Sequence, residues 1–470
     1  TSVVKKDGQR IEGFIKGPEN SLKATKETMR LPFIVKILGD DEAEIRLGKK
    51  KIRLQKNTYT DWVELQFKAG FGIKVNGIAR FYLLETEPHF RLYMTPINID
   101  PEKPALPISF PYFYSVYLSK LQGKFATLGL AEDTWSLNEG VLDEKAFLEQ
   151  AYLIHEERER QFFHALDKTK KGLCAVVIDA TDRIQHMFFR TLADDHPANR
   201  GKETEAWKNV IEDMYIRMDG LVERTMEKLN DDDVFFVISD HGFKQFKRGV
   251  NLNTWLLREG YLALKPGKTE SDEYFRDVDW SKTRAYAFGL AGIYLNVKGR
   301  EKTGVVAPGK EQQALKNELI EKLSGLRDPQ TGEIAITEMF DNRKIYKGPY
   351  AQSGPDLITG YNDGYRISWN GATGVINDDM FEDNTKAWSG DHCIDPRLAP
   401  GVLFCNRTFS AKNPALIDIG PSVMQMFGVP VPKFMDGRSI FQTPPAASNG
   451  HYSPKKKDLS ETQEALALDG

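Results

Sequence analysis

From residue 173 onward, apolar runs short enough to be strands alternate with amphipathic stretches long enough to be helices, and this alternation constrains the fold more than any other feature. LCAVVIDATD is followed by a helical pattern through Trp207 to Leu229, and VFFVISDHGF by NLNTWLLREGYL. AYAFGLAGIYLNV, EQQALKNELIEKLSGL, GVLFCN and the segment around IGPSVMQMFG continue the series. Strands alternating with helices predict an α/β fold, a mostly parallel sheet with helices on both faces. VFFVI fits such a sheet, because a strand covered on both faces needs a continuous apolar run and not an alternating one.

The preceding third has a different texture. LPFIVKIL, AEIRL, KIRLQ, WVELQF, IARFYLLE and FRLYMTPINI are short and follow a period of two, so residues 1–105 are expected to form a β-rich cap or insert domain. Trp62, Phe81, Tyr82 and Tyr93 at alternating positions are expected to fill its core. The lysine-rich GKKKIRLQK reads as a solvated edge strand. PEKPALPISFPYFY is too proline-dense for regular structure, and residues 106–141 are assigned to a linker. LDEKAFLEQAYLIHEERERQFFHALDK, residues 142 to 168, then predicts a long amphipathic helix with Asp143 as its N-cap. It opens an α/β core over 142–442, and residues 443–470 are polar and read as a tail.

At 470 residues the chain is longer than one hydrophobic core ordinarily serves. A formal charge of -3 with 28% charged residues is that of a globular protein and gives no reason to expect a nucleic-acid polymer as partner. Three cysteines without C-x-x-C spacing argue against a disulfide framework and a thiolate metal site. No stretch is long and apolar enough for a transmembrane helix. The chain begins without Met and without a signal peptide, which reads as a fragment and leaves room for a targeting segment removed ahead of it, so the compartment stays open.

The strand ends carry the chemistry. In open α/β sheets ligands collect at the carboxyl ends of strands, and there VFFVI stops on Asp240 and His241, ahead of the turn glycine Gly242. LCAVVIDATDRIQH places Asp182 just past an apolar run and His186 four residues on, a spacing that turns both toward one point if a helix begins there. WSGDHC presents Asp391 and His392 on a glycine turn. An Asp-His pair at a strand end also suits a hydrogen-bonded turn, so the case rests on its recurrence. Mixed carboxylate and imidazole donors suit zinc or manganese, whereas calcium prefers all-oxygen shells. The five candidates, Asp182, His186, Asp240, His241 and His392, exceed one tetrahedral site and fall one short of two three-donor sites.

TDRIQH, ISDHGF and SGDHC, in that order, resemble the motifs of the alkaline phosphatase superfamily, specifically its type I phosphodiesterase/nucleotide pyrophosphatase branch. GVNLNTWLLREGYL, DPQTGE, PDLITGY and PSVMQMFGVPVPKFMDGRSI extend the resemblance over roughly residues 140 to 442. It implies an alkaline-phosphatase-like core holding two divalent ions, zinc or manganese. Asp182, His186 and His392 would be ligands of one ion, and Asp240 and His241 of the other. It also implies a Thr or Ser nucleophile after an aspartate-ended first strand, through which a phosphoryl group passes covalently. Residues 1 to 140 contain no such strand and no Thr or Ser flanked by prolines and a TG turn, so that segment is expected upstream of this chain. Asp391 and Asp395 are candidates to orient His392. The expected partner is a phosphate-ester small molecule and the expected activity its metal-dependent hydrolysis, falling on the acid side as histidines protonate. A phosphomutase of the same superfamily and a non-catalytic, metal-stabilised binding protein are the alternatives.

Overall fold

The computed structural model describes residues 2–23, 25–70 and 72–442; the expected tail over 443–470 lies outside the described residues. Among the described residues two compact units are present, one built from the chain up to Leu221 with Phe243–Leu398, the other from Val222–Gly242 with residues 399–442.

In the first unit the period-two segments fold as expected. Five strands, Ser2–Asp7, Arg10–Glu19, Thr28–Gly39, Glu42–Leu47 and Lys50–Gln55, form an antiparallel meander in chain order, with the lysine-rich strand at its edge. Alternation points Phe33, Val35, Ile37, Ala43, Ile45 and Leu54 inward, where they meet Val63, Leu65 and Phe67 of a second, three-stranded sheet. Between Ile99 and Tyr114 no helix or strand forms, in keeping with the prolines. Within 106–141, however, helices form over Tyr114–Gln122 and Thr134–Asn138.

The long helix runs Glu144–Lys168, and the Asp143 carboxylate accepts the Ala146 N–H at 2.8 Å, satisfying one of the orphan donors of the first turn. The β-rich segment is fastened to this helix. Tyr82 and Tyr93 pack with Tyr59 against Leu142 and Ala146. The Gln150 side-chain amide donates to the hydroxyls of Tyr59 and Tyr93 at 3.2 and 3.1 Å. Buried Glu157 pairs with Arg80 at 2.8 Å and accepts the Trp62 indole N–H at 2.7 Å. Of the four expected core aromatics, Phe81 is in the β core, while Tyr82, Tyr93 and Trp62 face the helix.

Beyond residue 243 the first unit has two four-stranded arrangements. In one, Lys244–Val250 pairs in parallel with Gly364–Ile367 and antiparallel with Phe381–Asp383 and Gly390–Asp391. In the other, Ala285–Phe288, Gly292–Leu295, Leu357–Tyr361 and Ile336–Asp341 are antiparallel throughout. The single parallel pairing of strands among the described residues departs from the parallel sheet that the alternation predicts. LCAVVID forms no strand, and its Val177 is 74% exposed. In the second unit VFFVI is a strand over Phe236–Ile238, but it pairs antiparallel with Leu403–Cys405 and leaves Ile238 41% exposed. The physical reason is that an apolar run records that a segment suits a buried setting; which neighbour covers it, and in which direction, is decided elsewhere in the chain.

One buried histidine beside the strand Lys244–Val250 is expected to make the first unit pH-sensitive. His196 accepts the Ala198 N–H at Nδ1 (3.1 Å), so the proton sits on Nε2, which donates to the Phe246 carbonyl at 3.0 Å. Burial, only partly offset by that carbonyl, pushes the imidazole down to about 4 from 6.5. Between those values the unfolded chain binds the extra proton and the folded chain does not. Stability from this group is therefore complete above pH 6.5 and is lost as pH falls toward 4. Melting temperatures recorded across that interval are expected to drop, and to drop less steeply in His196→Asn.

Candidate metal site

The helix Ala180–Phe188 carries the first two donors. Ala180, Ile184, Met187 and Phe188 recur at helical spacing and are buried against Phe147, Leu148 and Ala151 of the long helix, which fixes the rotation of the short helix and leaves Asp182 and His186 on one face. The third donor comes from a segment two hundred residues later. Gly390–Asp391 pairs with Lys244 and Gln245, the Ser389 N–H donates to the His186 carbonyl at 2.7 Å, and the Arg190 N–H donates to the Ser389 hydroxyl at 3.0 Å. The helix and the turn are thereby tied together, with His392 the next residue along.

Asp182, His186 and His392 consequently converge, with one donor atom of each within 4.8 Å of the others. Asp182 Oδ1 lies 3.5 Å from His186 Nε2 and 3.8 Å from His392 Nε2. Tetrahedral zinc with bonds of about 2.0–2.1 Å separates neighbouring donors by roughly 3.3 Å, close to both distances. The protonation pattern also fits. His186 is 2% exposed, and its Nδ1 lies 2.7 Å from the Gly390 carbonyl, which places the proton on Nδ1 and leaves the Nε2 lone pair facing Asp182. Burial holds this imidazole below its ordinary range, hence neutral. Arg183 Nη1 donates to Asp182 Oδ2 at 2.6 Å, so that Oδ1 is the oxygen turned toward the imidazoles. The residues present fit a divalent cation bound by one carboxylate oxygen and two imidazole nitrogens.

Asp240 and His241 sit in the second unit, past the strand Phe236–Ile238. Their side chains face each other, His241 Nε2 lying 3.5 Å from Asp240 Oδ2, and His241 Nδ1 is 3.0 Å from the Gly242 carbonyl. Asp391 is buried and accepts the N–H groups of His392 and Cys393 at Oδ1, each at 2.8 Å. Asp395 is engaged by Thr337 at 2.6 Å and by the Arg397 guanidinium.

Sequence reasoning passed over Trp388, Arg183 and Arg366. The Trp388 ring lies on His186 with centroids 3.8 Å apart. Arg183 had a local signal, since it adjoins Asp182 in TDRIQH. Gly390 is also required as glycine, because a Cβ there would come within 2.5 Å of the Gln185 carbonyl oxygen and 2.8 Å of Phe189 Cβ. Gly390→Ala must therefore push the turn off the helix. The expected outcome is a loss of about 1–3 kcal/mol of stability, read from denaturant midpoints, together with weaker zinc uptake.

A carboxylate and two imidazoles that could hold a divalent cation are brought together by a helix and a glycine turn on a mixed α/β scaffold. The chain belongs to the type I phosphodiesterase/nucleotide pyrophosphatase family, whose profile matches residues 54–391, and through it to the alkaline phosphatase superfamily. The match takes in much of the β-rich segment that the motif-based resemblance left out. Comparison with curated proteins and with solved structures found no match.

Proposed function

We propose that this chain carries the metal-binding part of a metal-dependent phosphate-ester hydrolase, acting on diesters in preference to monoesters. The observation that carries this reading is the meeting of Asp182, His186 and His392 in a chain of this family. These three residues would hold one divalent ion, zinc first and manganese second. Asp240 and His241 would serve a second ion, as the family pattern assigns them. Such ions supply charge stabilisation at phosphoryl oxygens and a lowered pKa for an attacking hydroxyl or water. The chain's own contribution is to keep His186 neutral, to aim Asp182 Oδ1 through Arg183, and to set His392 on a turn built by Asp391. The Thr or Ser nucleophile, and the strands that would complete an alkaline-phosphatase-like parallel core, are assigned to polypeptide beyond these residues. Substrate choice is assigned to the β-rich segment over 1–105, acting as cap.

The test is metal analysis combined with turnover of p-nitrophenyl phosphate and its bis ester, on this chain and on one extended upstream. Bound zinc or manganese, with turnover gained on extension and the bis ester preferred, is expected. Metal present with no turnover in the extended form would leave a metal-stabilised binding protein. A requirement for a sugar-phosphate acceptor, without release of inorganic phosphate, would favour a phosphomutase.

A further inference from the structure

We propose that Arg366 is a positioning residue for the metal site, acting through Asp391 on both imidazoles; this rests on the metal reading above. Arg366 lies on the strand Gly364–Ile367 and is 3% exposed. Its guanidinium lies over the rings of Phe246 and Trp369, at 4.8 and 4.6 Å, and its Nε lies 2.8 Å from Asp391 Oδ2 as an ion pair, without the alignment of a hydrogen bond. Those two rings leave the guanidinium little freedom to turn away from the carboxylate.

Asp391, 2% exposed, is the hub. Its Oδ1 takes the backbone N–H groups of His392 and Cys393, which sets the turn that carries the His392 ring. Its Oδ2 takes the Trp388 indole N–H at 2.9 Å, and Trp388 is the ring that lies on His186. One carboxylate therefore locates both imidazoles, by backbone on one side and by an aromatic face on the other. A carboxylate this deeply buried persists as an anion only with a countercharge. Arg366 adds no donor to the cation; it holds in place the carboxylate that orders the donors, as outer partners of metal ligands do.

Arg366→Met keeps length and apolar contact while removing the charge, and Arg366→Lys keeps the charge. Both are compared with the wild-type 470-residue chain in two measurements: deuterium uptake of fragments spanning residues 388–395 in metal-free protein, and zinc affinity by calorimetry. Methionine is expected to speed exchange in those fragments by about 10-fold and to lower zinc affinity by about 10–100-fold. Lysine keeps the charge but loses the planar stacking on Phe246 and Trp369, and is expected to fall between wild type and methionine in both. Wild-type exchange in Arg366→Met, or lysine behaving like methionine, overturns the proposal. Should Arg366→Met not fold, Trp388→Phe removes one donor to the same carboxylate and keeps a ring on His186. It is expected to speed exchange in the same fragments, and unchanged exchange there is equally fatal. Wild-type protein that takes up no zinc, while the exchange contrast holds, refutes the metal reading and leaves the positioning of the turn by Arg366 standing.

Discussion

Alanine in place of His392 is expected to weaken zinc binding by roughly 100- to 1000-fold. Apparent binding free energies of about 10–16 kcal/mol for four-donor zinc sites assign about 3 kcal/mol to each donor, and 1.4 kcal/mol is a factor of about ten. His392 isolates this effect better than His186 does, because its side chain is 28% exposed and its loss opens no sealed void. His186, by contrast, is buried against Trp388 and Phe243, so its removal would mix lost coordination with lost packing. The metal-free stability of His392→Ala is expected to stay within about 0.5 kcal/mol of wild type, as for other partly exposed positions. Calorimetric titration with zinc and a denaturant series without it separate the two quantities. Unchanged zinc affinity would remove His392 from the ligand set and leave Asp182 and His186 too few to hold an ion.

Phe188→Ala is expected to have the largest effect on the scaffold, about 3–5 kcal/mol of lost stability. Phe188 ends the helix that carries Asp182 and His186, is fully buried, and packs against Phe147 at 6.3 Å and Trp207 at 6.2 Å between ring centroids. Truncation leaves a cavity that the long helix and the Trp207 segment can fill only by moving. Phe188→Leu, which keeps more of the volume, is expected to cost about 1.5 kcal/mol or less. Urea midpoints at unchanged slope report the difference. A midpoint for Phe188→Ala equal to that of wild type would mean the helix is not anchored at this residue.

What the sequence revealed and what it concealed differ by physical origin. The long helix, its Asp143 cap and the inward face of Thr28–Gly39 follow from short-range rules of periodicity and capping, and they were legible. Asp182 and His186 were legible as a pair because four residues is one helical turn. That His392 should join them required a contact across two hundred residues, and its only local sign was the Asp-His repetition in WSGDHC. Arg366 had no sign at all: in GYRISWNG it is an arginine in a short strand, and its burial becomes visible only once Phe246, Trp369 and Asp391 surround it. The parallel sheet is not what the described strands form, for a related reason. Pairing direction belongs to two segments jointly, and neither LCAVVID nor VFFVI contains it.

The tyrosine and glutamine junction on the long helix bears on how this protein can be dissected. Severing the backbone in the proline-dense stretch after residue 100 would separate the chain on paper only. The N-terminal piece would keep its grip on Gln150 and Glu157 through Tyr59, Tyr93, Trp62 and Arg80. Nicked material should co-elute as a two-chain complex until urea parts it, and expression of residues 1–105 alone should yield a sticky fragment with bare tyrosines.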